Sequence, residues 1–414
     1  MSKISFLLLL GLFVVLRSHA QETQYGYSLP KKQTIAKIPF ELHSNLMIVP
    51  VRINKSDTLR FILDTGVSAI ILTDHKVAKQ CGLVASRDVS IAGAGEGGKL
   101  KASVALGNSI YMGEMVGHSQ NIVILDQDLL NLSEFVGVPI HGIFGYEIFN
   151  RFVVTLDFLT REIILQLPEK YKYHARRGTM RFPLEITDTK PYFTGIGLLE
   201  DNQQKAIKVL IDTGAGHSLS LETSTEMPFP LPKRTIKAQL GRGLSGTING
   251  HLGRVREIKV GKTSLKGLIV SYPDSQSIST KLSPKKNRQG SIGCELLRRF
   301  RVTFNYSEQF MLLKPIRSKM KEPFEHNMTG MELLAKGKDY KELYISKVAQ
   351  DSPAETAGLL EGDQLMFINE KNVKRMTLND VYKLFQRGND HDVNILVKRE
   401  QQVFVVSLKL KRLI

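Results

Sequence analysis

Tryptophan is absent from the 414 residues, and cysteine occurs only at Cys81 and Cys294. Two thiols in a chain of this length exclude a disulfide framework, so an apolar core must hold the fold. The ten histidines form neither a His-Glu-x-x-His motif nor a paired metal spacing, so no metal is expected and each reads as structural or surface. No Gly-x-Ser-x-Gly elbow offers a serine nucleophile, and no cofactor is implied. Low-complexity tracts are missing too. Beyond the first twenty residues no apolar run is long enough to cross a bilayer as a helix. Charge is plentiful but scattered: the net value of +17 comes without an Arg/Lys stripe interleaved with aromatics, which argues against nucleic acid as a partner. The excess reads as a solvated surface, with attraction to anionic membranes or acidic substrates as the alternative.

Residues 1–20 read as a secretory signal peptide. Lys3 supplies the positive start, residues 6–16 the apolar stretch, and Ser18-His19-Ala20 a small-x-small cleavage site. No cysteine follows that site, so a lipid anchor is not expected.

What the chain does contain is a repeated tripeptide. Asp64-Thr65-Gly66 lies within FILDTGVSAIIL, and Asp212-Thr213-Gly214 within VLIDTGAGHSLSL. Each Asp follows an apolar, strand-like run, and each Gly permits a sharp turn after it. The two Asp are 148 residues apart. A glycine-rich stretch at Gly93, Gly95 and Gly98 recurs at Gly241, Gly243 and Gly246 in the same register. HGIFGYEIFNRFVVTLDF from His141 likewise matches QGSIGCELLRRFRVTFNY from Gln289, with Gly145 and Gly293 as its landmarks. Three landmarks in one register mark an internal duplication. Two carboxylates brought together at strand ends cannot both ionise easily, so they share a proton. One is then a base for water and the other an acid for a carbonyl oxygen.

The first unit spans about residues 34–165 and the second about 182–314, with short strands, a short helix after Gly145 and a closing strand from Val153. Thr73 to Cys81 reads as a helix stopped by Gly82. Residues 166–181 are basic and polar, as a connecting segment should be. GAGEGG and GRGLSG also fit G-x-G-x-x-G, and Gly98-Lys99 approaches a P-loop except that Leu100 stands where Ser or Thr belongs. Phosphate binding needs a helix after the glycines, and here strand-like residues follow. A pair of hairpins closing over an extended peptide is the better reading.

These features resemble the pepsin/retropepsin superfamily of aspartic peptidases, whose lobes each carry Asp-Thr-Gly and, later, an apolar-apolar-Gly motif before a short helix. Ile143-Phe144-Gly145 matches fully; in Ser291-Ile292-Gly293 the serine departs from the pattern. The resemblance covers about residues 34–314. It implies a mainly β fold of two duplicated lobes forming one cleft, with domains at 21–165 and 182–314. It also implies that Asp64 and Asp212 form the dyad, that Thr65 and Thr213 interlock beneath it, and that Gly66 and Gly214 let backbone groups approach the carboxylates. Val67 and Ala215 stand where secreted acid peptidases usually carry a hydroxyl. Without that hydrogen bond to the ionised form the dyad should work at mildly acidic to neutral pH.

Residues 315–327 form a charged linker with two prolines, and 328–414 a third domain. Ser352-Pro-Ala, Ala-Gly-Leu and Gly362-Asp363 follow in close succession, and Thr377 is placed to cap a helix ending at Phe385. This stretch is similar to the bacterial PDZ family and implies an α+β PDZ domain. A peptide would then add as a strand beside Gly330, Met331, Glu332 and Leu333, its carboxylate met by backbone N–H groups there. Glu332 puts a negative side chain near that anion, so a C-terminus, an internal segment or one of the chain's own lobes are all open as its ligand.

The expectation is a secreted aspartic endopeptidase, periplasmic or extracellular in a Gram-negative bacterium, acting on peptides or unfolded proteins. A monomer suffices, because duplication places both Asp in one chain. The runner-up is an envelope protein whose cleft holds peptides without cutting them, and a third reading is a PDZ-led scaffold with structural lobes.

Overall fold

A computed structural model describes residues 25–200, 203–222, 229–277 and 288–414. The expected leader, residues 1–20, lies outside the described residues.

The strand Leu59–Asp64 buries Leu59, Phe61, Ile62 and Leu63 and ends on the first Asp. It runs parallel to Gly142–Gly145, with Gly145 opposite Asp64. Only glycine permits that approach: a Cβ on Gly142 would meet the Phe61 ring at 2.2 Å, and one on Gly145 would meet the Asp64 carbonyl oxygen at 1.7 Å. The second lobe repeats the arrangement, with Val209 opposite Gly290 and Ile211 opposite Ile292, again in parallel. In both lobes one side chain closes the same gap. His141 Nδ1 accepts the Arg60 N–H at 3.0 Å, and 148 residues on, Gln289 Oε1 accepts the Lys208 N–H at 2.7 Å. Duplication has therefore kept the contact while changing the residue that makes it.

The lobes are joined by a six-stranded sheet ordered Met180–Pro183, Phe310–Pro315, Phe300–Asn305, Val153–Asp157, Glu162–Gln166, Ile35–Pro39. Its two central strands come one from each lobe and run antiparallel, with Thr155 opposite Thr303. Phe149, Phe304 and Tyr306 stack across this junction, Phe149 and Phe304 edge-on at 5.2 Å. One apolar core consequently runs through both lobes. Such rings add about 0.5–1.5 kcal/mol per pair beyond the area they bury.

The expected short helices form at His75–Gln80, capped by Asp74 and followed by Gly82 at φ +65°, and at Tyr146–Arg151. Leu132–Val136 is a helix that periodicity did not signal, at five residues too short to display a repeat. Cys81 and Cys294 are both buried, free thiols.

The third unit has its own core and a sheet ordered Met331–Lys336, Glu342–Val348, Gln364–Ile368, Asp392–Arg399, Gln402–Lys409. Thr377 caps Leu378–Phe385 through a reciprocal box with Asp380. Arg399 grips Asp363 with two bonds of 2.7 Å, fixing the Gly362-Asp363 turn. The segment before this unit is anchored rather than loose. Fully buried Arg299 donates to the carbonyls of Lys319 and Glu322 and lies 3.6 Å over the Phe324 ring. Arg254 of the second lobe reaches the Phe324 carbonyl and Glu325.

Candidate active site

Asp64 ends its strand, and Asp212 directly follows the strand Gln203–Ile211. What brings these two strand ends together is a reciprocal lattice of threonine bonds. Thr65 Oγ1 donates to the Ile211 carbonyl at 2.6 Å and accepts the Thr213 N–H at 3.1 Å. Thr213 Oγ1 donates to the Leu63 carbonyl at 2.9 Å and accepts the Thr65 N–H at 3.0 Å. Both threonines are 0% exposed, so each bond replaces a backbone group's lost water and none can be dropped cheaply.

The glycines then let each turn meet the carboxylates. Gly66 N–H donates to Asp64 Oδ1 at 2.6 Å, and Gly214 N–H to Asp212 Oδ1 at 3.0 Å. A Cβ on Gly214 would fall 2.2 Å from the Asp64 carboxyl carbon, and one on Gly66 would be 3.0 Å from Asp64 Oδ1 and 3.6 Å from Asp212 Oδ1. Each Asp thus sits against the other lobe's turn. Burial first, and the nearby Asp212 charge second, hold the Asp64 carboxyl well above the ordinary carboxylate range, against the Gly66 N–H that favours its anion.

Beside the two carboxylates lie His217, which the sequence reading passed over, and Ser291, which it noted only as a departure from the glycine motif. His217 Nε2 and Ser291 Oγ lie 3.1 Å apart. Burial lowers the His217 pKa, while the Asp212 charge opposes that. Their register partners in the first lobe are Ala69 and Ile143, an apolar pair in one cluster. The signal was available: the serine that breaks the apolar-apolar-Gly pattern is the one bonded to the histidine.

The glycine stretches form the tips of two hairpins, built on Ala85–Ile91 with Leu100–Met112, and on Thr235–Gly243 with Gly246–Val260. The tips interlock. Ser245 N–H donates to the Ala94 carbonyl at 2.8 Å, Gly97 N–H to the Ser245 carbonyl at 2.5 Å, and Gly93 N–H to Ser245 Oγ at 3.1 Å. Glu96 Oε1 accepts from Ser277 Oγ at 2.7 Å and from Asn249 Nδ2 at 3.0 Å. Gly93, Gly95 and Gly243 are required by contact, since a Cβ on each would fall within 2.7 Å of the opposing tip. Gly98 and Gly241 meet nothing within 4 Å, and the nearest atom to a Cβ on Gly246 is Gly97 N at 3.9 Å. Leu244 packs into the cluster holding Val67 and Ile143, beside the Asp64 turn. The second hairpin therefore reaches over the first lobe's half of the floor.

In the third unit Gly330, at φ +79°, packs so that a Cβ would meet Ser352 Cβ at 2.2 Å. Met331 and Leu333 point into the core. Glu332 turns outward to the second hairpin, where its Oε1 accepts the Gln239 N–H at 2.8 Å. Among the described residues no cluster of three His, Cys, Asp or Glu could hold a metal ion, and no helix is long and apolar enough to cross a membrane.

Family comparison agrees with this architecture. A model of the aspartyl protease family matches residues 49–148 and again 199–296, each match containing one Asp-Thr-Gly. A PDZ domain model matches residues 344–399, a span that begins after Gly330, Met331, Glu332 and Leu333. No curated protein matches the chain. The chain is built of two retropepsin-like lobes of the aspartyl protease family followed by a C-terminal PDZ domain.

Proposed function

We propose that this chain is an aspartic endopeptidase in which Asp64 and Asp212 share one proton and activate one water. The observation that carries the reading is the buried threonine lattice, which holds two carboxylates against each other's turns at a standing electrostatic cost. A protein that only held peptides would have no use for that cost.

In this mechanism Asp64, whose environment favours the neutral acid, donates its proton to the scissile carbonyl oxygen. Asp212 takes a proton from water as the hydroxyl oxygen bonds to the carbonyl carbon. The resulting gem-diol collapses when Asp212 returns its proton to the amide nitrogen and a diol hydroxyl returns one to Asp64. The C–N bond breaks, leaving an amine and a carboxylic acid, and the dyad is restored. No covalent enzyme intermediate is needed. The interlocked hairpins would part for an extended substrate and close over it, excluding water other than the nucleophile.

Peptides or unfolded proteins are the proposed substrates, and the PDZ domain is proposed to take peptide segments. Export with residues 1–20 as leader, to the periplasm or cell exterior, belongs to the same proposal. The test is cleavage of an unfolded protein from pH 3 to 8 by wild type, Asp64→Asn and Asp212→Asn. Each variant should lose on the order of 10²–10⁴-fold or more. Peptide binding by wild type without cleavage at any pH would instead support a peptide-holding protein.

A further inference from the structure

The ligand-binding edge expected of the PDZ domain is closed by the rest of the chain. Among the described residues Met331–Lys336 is the last strand of its sheet, a position that normally leaves backbone groups free to pair with an added strand. Here three elements meet that edge. On the helix Leu378–Phe385, the Tyr382 hydroxyl accepts the Leu333 N–H at 3.0 Å and lies 3.5 Å from the Leu333 carbonyl oxygen. The first lobe's helix Leu132–Val136 runs alongside the strand. At that helix's end, Gly137 sits so close that a Cβ would meet Leu378 Cβ at 2.7 Å. From the second lobe comes the strand Thr235–Gly243, the last of its own sheet among the described residues. It slips register between Gln239 and Gly241. The Gln239 N–H is bonded to Glu332 Oε1.

We infer that the PDZ domain is a latch on the second hairpin: the chain's own protease lobes occupy its ligand edge, and a peptide entering that edge frees the hairpin. The chemistry is direct. Glu332 bonds the PDZ edge to the backbone of a hairpin whose tip locks the other hairpin through Ser245. An added strand must displace the Tyr382 hydroxyl from Leu333 and shift Glu332 from Gln239. By linkage, peptide at the PDZ edge and opening of the hairpins then favour each other. A carboxylate accepting a backbone N–H also explains why the PDZ loop carries an acidic residue where a peptide carboxylate would be repelled.

The test uses the full chain and two substitutions that remove the bond from opposite sides. Glu332→Ala deletes the acceptor, and Gln239→Pro deletes the N–H on an outer strand that tolerates proline. Glu332→Gln, which keeps an amide oxygen in place, is the control. Backbone hydrogen exchange over residues 235–250 and 92–98 should rise at least severalfold in both bond-deleting variants and stay near wild type in the control. Unchanged exchange in Glu332→Ala and Gln239→Pro would overturn the latch. The second arm, which rests on the peptidase reading, is cleavage of an unfolded protein: kcat/KM should rise severalfold in the variants with faster exchange. A fall or no change in a cleaving enzyme overturns the latch as a brake. Faster exchange in a chain that never cleaves supports the latch and removes the peptidase reading alone.

Discussion

Thr155 Oγ1 and Thr303 Oγ1 lie 2.8 Å apart, on residues facing each other across the antiparallel strands that join the lobes. They are separated by 148 residues, the interval that also separates Thr65 from Thr213. Two self-paired threonine contacts define a local two-fold axis through the junction. Residues related by the duplication meet on that axis, which is how a repeat in sequence becomes a pair of facing carboxylates.

The raised pKa of Asp64 has a thermodynamic signature. Asp64 has a raised folded-state pKa because burial and the Asp212 charge disfavour its anion. Between the unfolded and folded pKa values the native state holds the extra proton, so stability falls as pH rises through that window. Below the unfolded pKa both states are protonated and the penalty is absent. Asp64→Asn should therefore raise Tm at pH 7 by about 2–4 °C, the shift expected for about 1 kcal/mol in a body of this size. The gain should vanish near about pH 3, below the ordinary Asp value. Scanning calorimetry at both pH values checks this, and equal gains at the two would contradict the assignment.

The threonine lattice should be the least forgiving part of the lobes. Thr65→Ala leaves the Thr213 N–H and the Ile211 carbonyl unpaired in a dry site. The loss should be about 2–4 kcal/mol, one penalty for each stranded group. Thr65→Ser keeps the hydroxyl and should recover most of it. Urea unfolding of the two variants separates the hydroxyl's role from that of the methyl group.

Hairpin locking can be probed at Gly97 without backbone strain, since its φ is not positive. A Cβ there would lie 2.4 Å from the Ser245 carbonyl oxygen. Gly97→Ala should speed hydrogen exchange at Gly97 and Ser245 while leaving global stability within about 1 kcal/mol, because loop tips carry little of the core. Protection as strong as in wild type would mean the tips re-seat around the methyl group.

Arg299 ties the segment ahead of the PDZ domain to the second lobe. Its guanidinium is fully buried and also pairs with Glu295 at 2.9 Å. Arg299→Ala leaves the Glu295 carboxylate to Arg298 alone and takes the donor from the Glu322 and Pro323 carbonyls, a change expected to cost about 2–4 kcal/mol. Limited proteolysis should show new cleavage between residues 316 and 326 before either lobe is cut. A wild-type digestion pattern would show that Arg254 and its contacts suffice.

Much of this architecture was legible in the sequence because its signals are local or periodic. The 148-residue register carried the two lobes, the Asp-Thr-Gly turns and the glycines at 145 and 293. Thr377 announced the PDZ helix ending at Phe385 through its capping chemistry. The helix Leu132–Val136 was illegible because five residues cannot show a period. His217 with Ser291 was half legible: the serine showed as a departure, but the 74 residues between them hid its partner. Arg299 matched Arg151 by register, yet Arg151 bonds the Tyr27 carbonyl instead. Duplicated residues keep their place while what packs outside each lobe gives them different partners.

By itself the sequence determined which residues repeat, where strands end on carboxylates, and where glycine is needed for a turn. These properties belong to a few consecutive residues or to one fixed interval. Only the tertiary structure decided that the threonines bond reciprocally, that the hairpin tips lock through Ser245, and that Glu332 faces Gln239 instead of open solvent. The threonine and tip contacts join register-related residues of the two lobes, whereas Glu332 and Gln239 come from unlike units with no common register; all three join surfaces far apart in the chain. Such contacts exist only after both surfaces have folded, because hydrogen-bond geometry and burial are set by the packed surroundings.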